Sequence, residues 1–185
     1  MTDDRLVGRL LVAAPPLRDP NFERTVVLVL DHGADGALGL VLNRPSGQGV
    51  AASLPPWVRH AVPPAVLFIG GPVQPGAAIC LARSGADAGC PGWQPLFDQL
   101  GTLDLECEPT LVGVVLEGIR VFAGYSGWGA GQLEAEILAG AWWVLDADQT
   151  DALSGAPVLL WRTVLRRQRG ALAAIANFPS DLSVN

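Results

Sequence analysis

The residues able to do chemistry are few and widely spaced. Ser126 sits in Gly124-Tyr125-Ser126-Gly127-Trp128, a near match to the serine nucleophile elbow G-x-S-x-G. Position 128, however, is tryptophan where that turn needs glycine. A serine hydrolase also needs a histidine base, and the two histidines, His32 and His60, read as solvated residues of a hairpin turn and of a proline-flanked loop. Cys80, Cys90 and Cys107 show no C-x-x-C spacing and no nearby histidine, so neither a metal centre nor a disulfide framework is expected. Lysine is absent and all 12 basic residues are arginines, which removes Schiff-base chemistry and the phosphate lysine of a P-loop. The stretch Gly124 to Gly131 holds four glycines in the pattern G-x-x-G-x-G-x-G, matching neither dinucleotide nor P-loop fingerprints. It reads as a tight crossing where backbone approaches backbone, leading from strand to helix.

Glu134 is the sharpest candidate. At about 100° per residue, Leu133, Ile137 and Leu138 span an arc of about 140° that includes Glu134 and leaves Gln132 and Glu136 opposite. A carboxylate turned toward apolar surface needs a partner. Arg24, Arg44 or backbone N–H groups of a neighbouring loop are the expected ones. Arg162, Arg166, Arg167 and Arg169 form the one basic cluster, which reads as a solvated helix face.

These groups must be positioned by a chain that is half hydrophobic, 16 % charged and carries a net charge of −6. The acidic balance opposes binding to nucleic acid backbones. The uncharged stretch between Arg59 and Arg83 is broken by four prolines and three glycines, so it does not read as a membrane span. The acidic start MTDDRL lacks the features of a signal peptide, and a cytoplasmic protein is expected. Strands are predicted over 6–14, 25–31, 37–43, 65–69, 77–83, 102–107, 119–125 and 142–146 from β-branched, apolar or alternating runs. Residues 25–43 read as a hairpin with its turn at 32–36. Loops are predicted at 44–49 and 84–94, and a short helix at 50–60 despite Pro55 and Pro56. A helix is predicted over 129–139, stopped by Gly140. A last helix over 159–177 is interrupted at Gly170, and the tail from Pro179 is expected to be loose. Strands early, helices late and no βαβ alternation predict a single α+β domain.

Four segments in order carry a resemblance: Asp19-Pro20-Asn21-Phe22-Glu23-Arg24-Thr25-Val26-Val27, Gly39-Leu40-Val41-Leu42-Asn43-Arg44-Pro45, Gly70-Gly71-Pro72-Val73 and Gly124 to Glu134. With these the chain resembles the YqgE/AlgH family of bacterial proteins from about Val7 to the final helix. The resemblance implies a barrel-like, bifurcated, mostly antiparallel sheet flanked by helices. It implies no catalytic residues, although the family is commonly labelled a transcriptional regulator. The expectation is thus a non-enzymatic regulatory or accessory domain, with no cofactor or metal, binding a small ligand or a protein partner. Its candidate residues are Arg24, Asn43, Arg44, Gly70, Gly71, Tyr125, Trp128, Gln132 and Glu134, as a ligand site or a structural junction. Direct DNA binding, or an enzyme pairing Glu134 with an arginine, are the alternatives.

Overall fold

The computed structural model describes residues 6–85, 92–112 and 116–177. Its spine is a 14-residue strand, Leu116–Gly129 (β9), the ninth of ten strands in chain order among the described residues. One edge of β9 pairs antiparallel with Val73–Ser84 (β6), from Leu116 up to Tyr125. The other edge is shared. Val66–Ile69 (β5) pairs in parallel with Phe122 and Ala123, and Gly36–Val41 (β3) takes over antiparallel from Ser126 to Gly129. The sheet therefore forks along β9 and curls into an antiparallel half-barrel with a few helices, the expected α+β architecture.

Beyond β3 the sheet continues through Val26–Gly33 (β2) and Arg9–Ala13 (β1) to Trp142–Asp146 (β10). Beyond β6 it continues through Leu100–Leu103 (β8) to Trp93–Phe97 (β7), and Pro45–Gly49 (β4) pairs with β5. The near-continuous apolar runs of β1 and β2 follow from burial on both faces. Leu10, Val12, Val26 and Leu28 face an inner core with Phe68, Leu81 and Phe122. Leu160–Arg166 (α4) closes that core with Leu160, Trp161, Val164 and Leu165. Leu11, Ala13, Val27 and Val29 face an outer cluster with Trp128, Leu133 and Trp142. A third cluster, around Trp57, Ile119 and Val121, lies under the 3-10 helix Pro55–His60.

Several boundaries differ from the sequence reading, for identifiable reasons. The expected loop at 44–49 contains β4, an edge strand where the missing N–H of Pro45 is tolerated. Pro55 and Pro56 split the expected helix into Val50–Ser53 (α1) and the 3-10 turn. The strand expected at 102–107 is instead β8, paired with β7 around Asp98, which has a positive φ of 46°. Pro109–Val112 (α2) precedes β9. Gly170, at φ 69°, separates α4 from Ala171–Ile175 (α5), so the terminal helix is two helices. Cys90, within the loop expected at 84–94, and the tail from 178 lie outside the described residues. Among the described residues no helix is long and apolar enough to cross a membrane.

Candidate functional site

The four sequence segments meet at the fork of the sheet, and glycine makes the meeting possible. Gly70 follows β5, donates its N–H to the Ala123 carbonyl and receives the Val41 N–H on its own carbonyl at 2.9 Å. The buried Ser126 hydroxyl donates to the same carbonyl at 3.1 Å, so Ser126 is a structural donor within the crossing. A Cβ on Gly70 would run into the Gly124 carbonyl, and one on Gly71 into the Tyr125 carbonyl and the Ser126 nitrogen. Gly71 has φ 154° and Gly124 φ 68°, where a side chain would be strained as well. The stretch from Gly124 to Gly129 is therefore not a turn. It is strand throughout, and Gly124 admits a second backbone at its side.

Asn43 and Arg44 tie the fork to the Asp19–Thr25 segment. Asn43 imitates a strand neighbour: its Oδ1 accepts the Val26 N–H at 2.9 Å and its Nδ2 donates to the Arg24 carbonyl at 2.9 Å. The Asp19 carbonyl accepts the N–H groups of Phe22 and Glu23, closing a single turn. One terminal nitrogen of Arg44 donates to the carbonyls of Glu23 at 3.0 Å and Pro20 at 3.3 Å. Arg24, at φ 54°, lays its guanidinium 4.9 Å from the Trp161 ring centroid, a cation–π contact on the other side of the segment. Beside Arg44 a shallow pocket of about 160 Å³ is lined by Pro20, Asn21, Val41, Arg44, Ile69, Gly71 and Pro72. Ile69 is 52 % exposed at its rim.

The helix after the glycines, Gln132–Leu138 (α3), corrects the reading of its carboxylates. Its buried side is centred on Leu133 and Ile137, while Leu138 is 89 % exposed. Without Leu138 the apolar arc turns away from Glu134 and toward Glu136. Glu134 points outward, its side chain 49 % exposed, and its partner is His32 at 2.8 Å, not Arg24 or Arg44. Its carboxyl is held below the ordinary range, first by a hydrogen bond with its own backbone and then by His32. His32 is no solvated turn residue: it lies in β2, largely covered, and its Nδ1 accepts the Leu6 N–H at 3.2 Å. That bond leaves Nε2 as the donor to Glu134.

Glu136, missed from sequence, is the anchored carboxylate. Its Oε2 accepts the indole N–H of Trp128 at 2.9 Å and of Trp142 at 2.8 Å, and its Oε1 accepts Gln132 at 2.9 Å. Gln132 in turn accepts the Gly129 N–H. Phe22, Trp128 and Trp142 pack with ring centroids 5.5 to 6.1 Å apart, closing the junction. Trp128 is thus fully engaged. Tyr125 packs on the opposite face of β9, half-buried against the inner core.

Two buried charges also escaped the sequence reading. Arg120, 2 % exposed, donates to the carbonyls of Pro63, Ala152 and Ser154 and stacks 4.3 Å from the Phe68 ring centroid. Burial lowers its guanidinium to about 10, still charged at neutral pH. Arg167 makes a two-pronged pair with the buried Asp151 at 2.6 Å, which removes it from the expected solvated cluster. Carbonyl partners carry no sequence signature, so only the isolated Arg120 in a strand pattern hinted at the first. A larger cleft, about 1030 Å³, lies apart from all four segments, between 55–60 and 105–110, and includes His60 and Cys107. Partial burial and then Arg59 lower the His60 imidazole, while Cys80 is buried in the third cluster, its thiol pushed up by burial. Among the described residues no three His, Cys, Asp or Glu side chains converge as metal ligands would.

A family model described as AlgH-like matches residues 10–173. The chain belongs to the AlgH-like family. It is 49 % identical over 185 residues to a UPF0301 protein of Streptomyces coelicolor, covering 97 % of this chain and 95 % of that one. A UPF0301 protein of Streptomyces avermitilis is 47 % identical over 184 residues, with the same coverage. A crystal structure of a Corynebacterium diphtheriae protein superposes with TM-score 0.88 at 31 % identity, over 96 % of this chain and all of that one. The solution structure of AlgH from Pseudomonas aeruginosa superposes with TM-score 0.71 at 30 % identity, over 98 % of each chain. The half-barrel of this AlgH-like chain is thus the architecture of its solved relatives.

Proposed function

We propose that this AlgH-like chain is a non-enzymatic accessory or regulatory domain that docks a protein partner on the face around Asn21, Arg44, Ile69 and Pro72. The observation that carries this reading is the exposed Ile69 beside Arg44 at the rim of the fork. Around them, the groups best suited to chemistry serve the fold. Ser126 holds Gly70, Glu136 holds two tryptophans and Asn43 holds β2. The pocket, about 160 Å³, is well below the roughly 300–1,000 Å³ of small-molecule sites, which favours a partner's side chain over a metabolite. A regulatory role of the kind the family label names would then run through a protein contact. The net charge of −6, and the loss of Arg167 to Asp151, weigh against a direct grip on DNA.

The test is a photo-crosslinking residue placed at position 69 in cells, with the same residue at the exposed position 158 as control. A discrete crosslinked protein at 69, absent at 158, is expected. Equal labelling from both positions, or none from 69, would contradict the docking face.

A further inference from the structure

We propose that the docked partner presents an acidic side chain to Arg44, flanked by an apolar residue that covers Ile69; this rests on the docking reading above. Arg44 is anchored by backbone carbonyls and so differs from the arginines that pair with carboxylates. Arg9, Arg83 and Arg167 each pair with a carboxylate, those of Asp146, Glu117 and Asp151. Arg44 has no carboxylate within ion-pair distance among the described residues. One of its terminal nitrogens is held by the Pro20 and Glu23 carbonyls, which fixes the guanidinium plane. Its Nε and its second terminal nitrogen have no partner among the described residues. A fixed guanidinium with donors to spare matches a carboxylate, because its remaining N–H groups donate charge-assisted hydrogen bonds and little side-chain freedom is lost on binding.

The surroundings give the second half of the requirement. Ile69 is joined to Arg44 directly, its N–H donating to the Arg44 carbonyl at 2.8 Å across the β4–β5 pair. Pro20, Val41, Ile69 and Pro72 line the same pocket as the guanidinium. Its volume, about 160 Å³, equals about five waters' share of liquid, room for one side chain. Positive charge and exposed apolar surface on one small rim are complementary to an acidic residue next to an aliphatic one. A free chain terminus would supply the same carboxylate. The committed source is the side chain, since the rim also calls for apolar neighbours along a continuing chain.

The experiment titrates the full chain, labelled at arginine nitrogens and isoleucine methyls, with three peptides. These are acetyl-Leu-Glu-Leu-amide, acetyl-Leu-Gln-Leu-amide and acetyl-Leu-Gln-Leu with a free terminus. Saturable shifts at Arg44 Nε–H and the Ile69 methyl are expected with the glutamate peptide, at least about tenfold tighter than with the neutral peptide. Arg44→Gln should abolish that preference. Ile69→Ser, which leaves Arg44 in place, should weaken glutamate-peptide binding about threefold and keep the preference. Equal binding of the neutral peptide, tighter binding of the free-terminus peptide, no saturable shift, or a preference that survives Arg44→Gln would each overturn the proposal. Crosslinking from position 69 with failed peptides would remove the carboxylate and leave the docking face; peptide binding without crosslinking would do the reverse.

Discussion

The crossing at Gly70, Gly71 and Gly124 and the rim at Arg44 and Ile69 adjoin each other and are built to opposite rules. At the crossing, two backbones touch and each polar group named above has a partner: the Gly70 carbonyl receives both Val41 and Ser126, and Glu136 satisfies two indoles. At the rim, a guanidinium is held by one nitrogen and a large aliphatic side chain faces water. A fold that satisfies its crossing and leaves a neighbouring cation with donors to spare separates what it needs to stand from what it can offer. The glycine-rich stretch is the first kind of region, as its glycine spacing suggests.

The difference can be broken from the crossing outward. Gly71→Ala should have the largest effect, because the new methyl meets backbone atoms of Tyr125 and Ser126 that cannot rotate away. A loss of about 3 kcal/mol or more, or failure to fold, is expected in urea denaturation. Glu136→Ala comes next. It strands the indole N–H groups of Trp128 and Trp142, both largely buried, and should cost about 2 kcal/mol with a red-shifted tryptophan emission.

Glu134→Gln should be the mildest. The pair with His32 is half open to solvent, so less than about 1 kcal/mol is expected. Its sign with pH is fixed by the direction of the shift. A carboxyl held below its ordinary value adds stability above that value and loses it as pH falls through the folded value. The melting-temperature gap between wild type and Glu134→Gln should therefore be present at about pH 7 and shrink as pH falls below the ordinary carboxylate range. A gap unchanged by acidification through the carboxylate range would contradict the assigned role of the Glu134 carboxylate.

Much of the scaffold was readable from the sequence because its signals are local. The 25–43 hairpin, the strand at Trp142–Asp146 and the strand at 65–69 follow from β-branched runs bounded by turn residues. The crossing was legible from its glycine spacing as a close backbone approach, but the strands that meet there are long-range partners. They are β3 and β5, packing along β9. In α3 the helical wheel misled because a seven-residue helix buries a narrow stripe, and Leu138 lies beyond it. His32 and Glu134 are 102 residues apart, and no spacing rule connects them. Arg44 was visible as a motif arginine, yet its partners are backbone carbonyls, which every residue possesses.

The central claim is that crossing and rim divide the labour of folding and recognition. Urea unfolding of Ile69→Ser beside Gly71→Ala tests it most directly. Ile69→Ser removes a side chain 52 % exposed and outside the core clusters, so its stability should stay within about 0.5 kcal/mol of wild type, while Gly71→Ala loses several times more. A loss for Ile69→Ser equal to or greater than that for Gly71→Ala would mean that the rim belongs to the scaffold, and the division would fail.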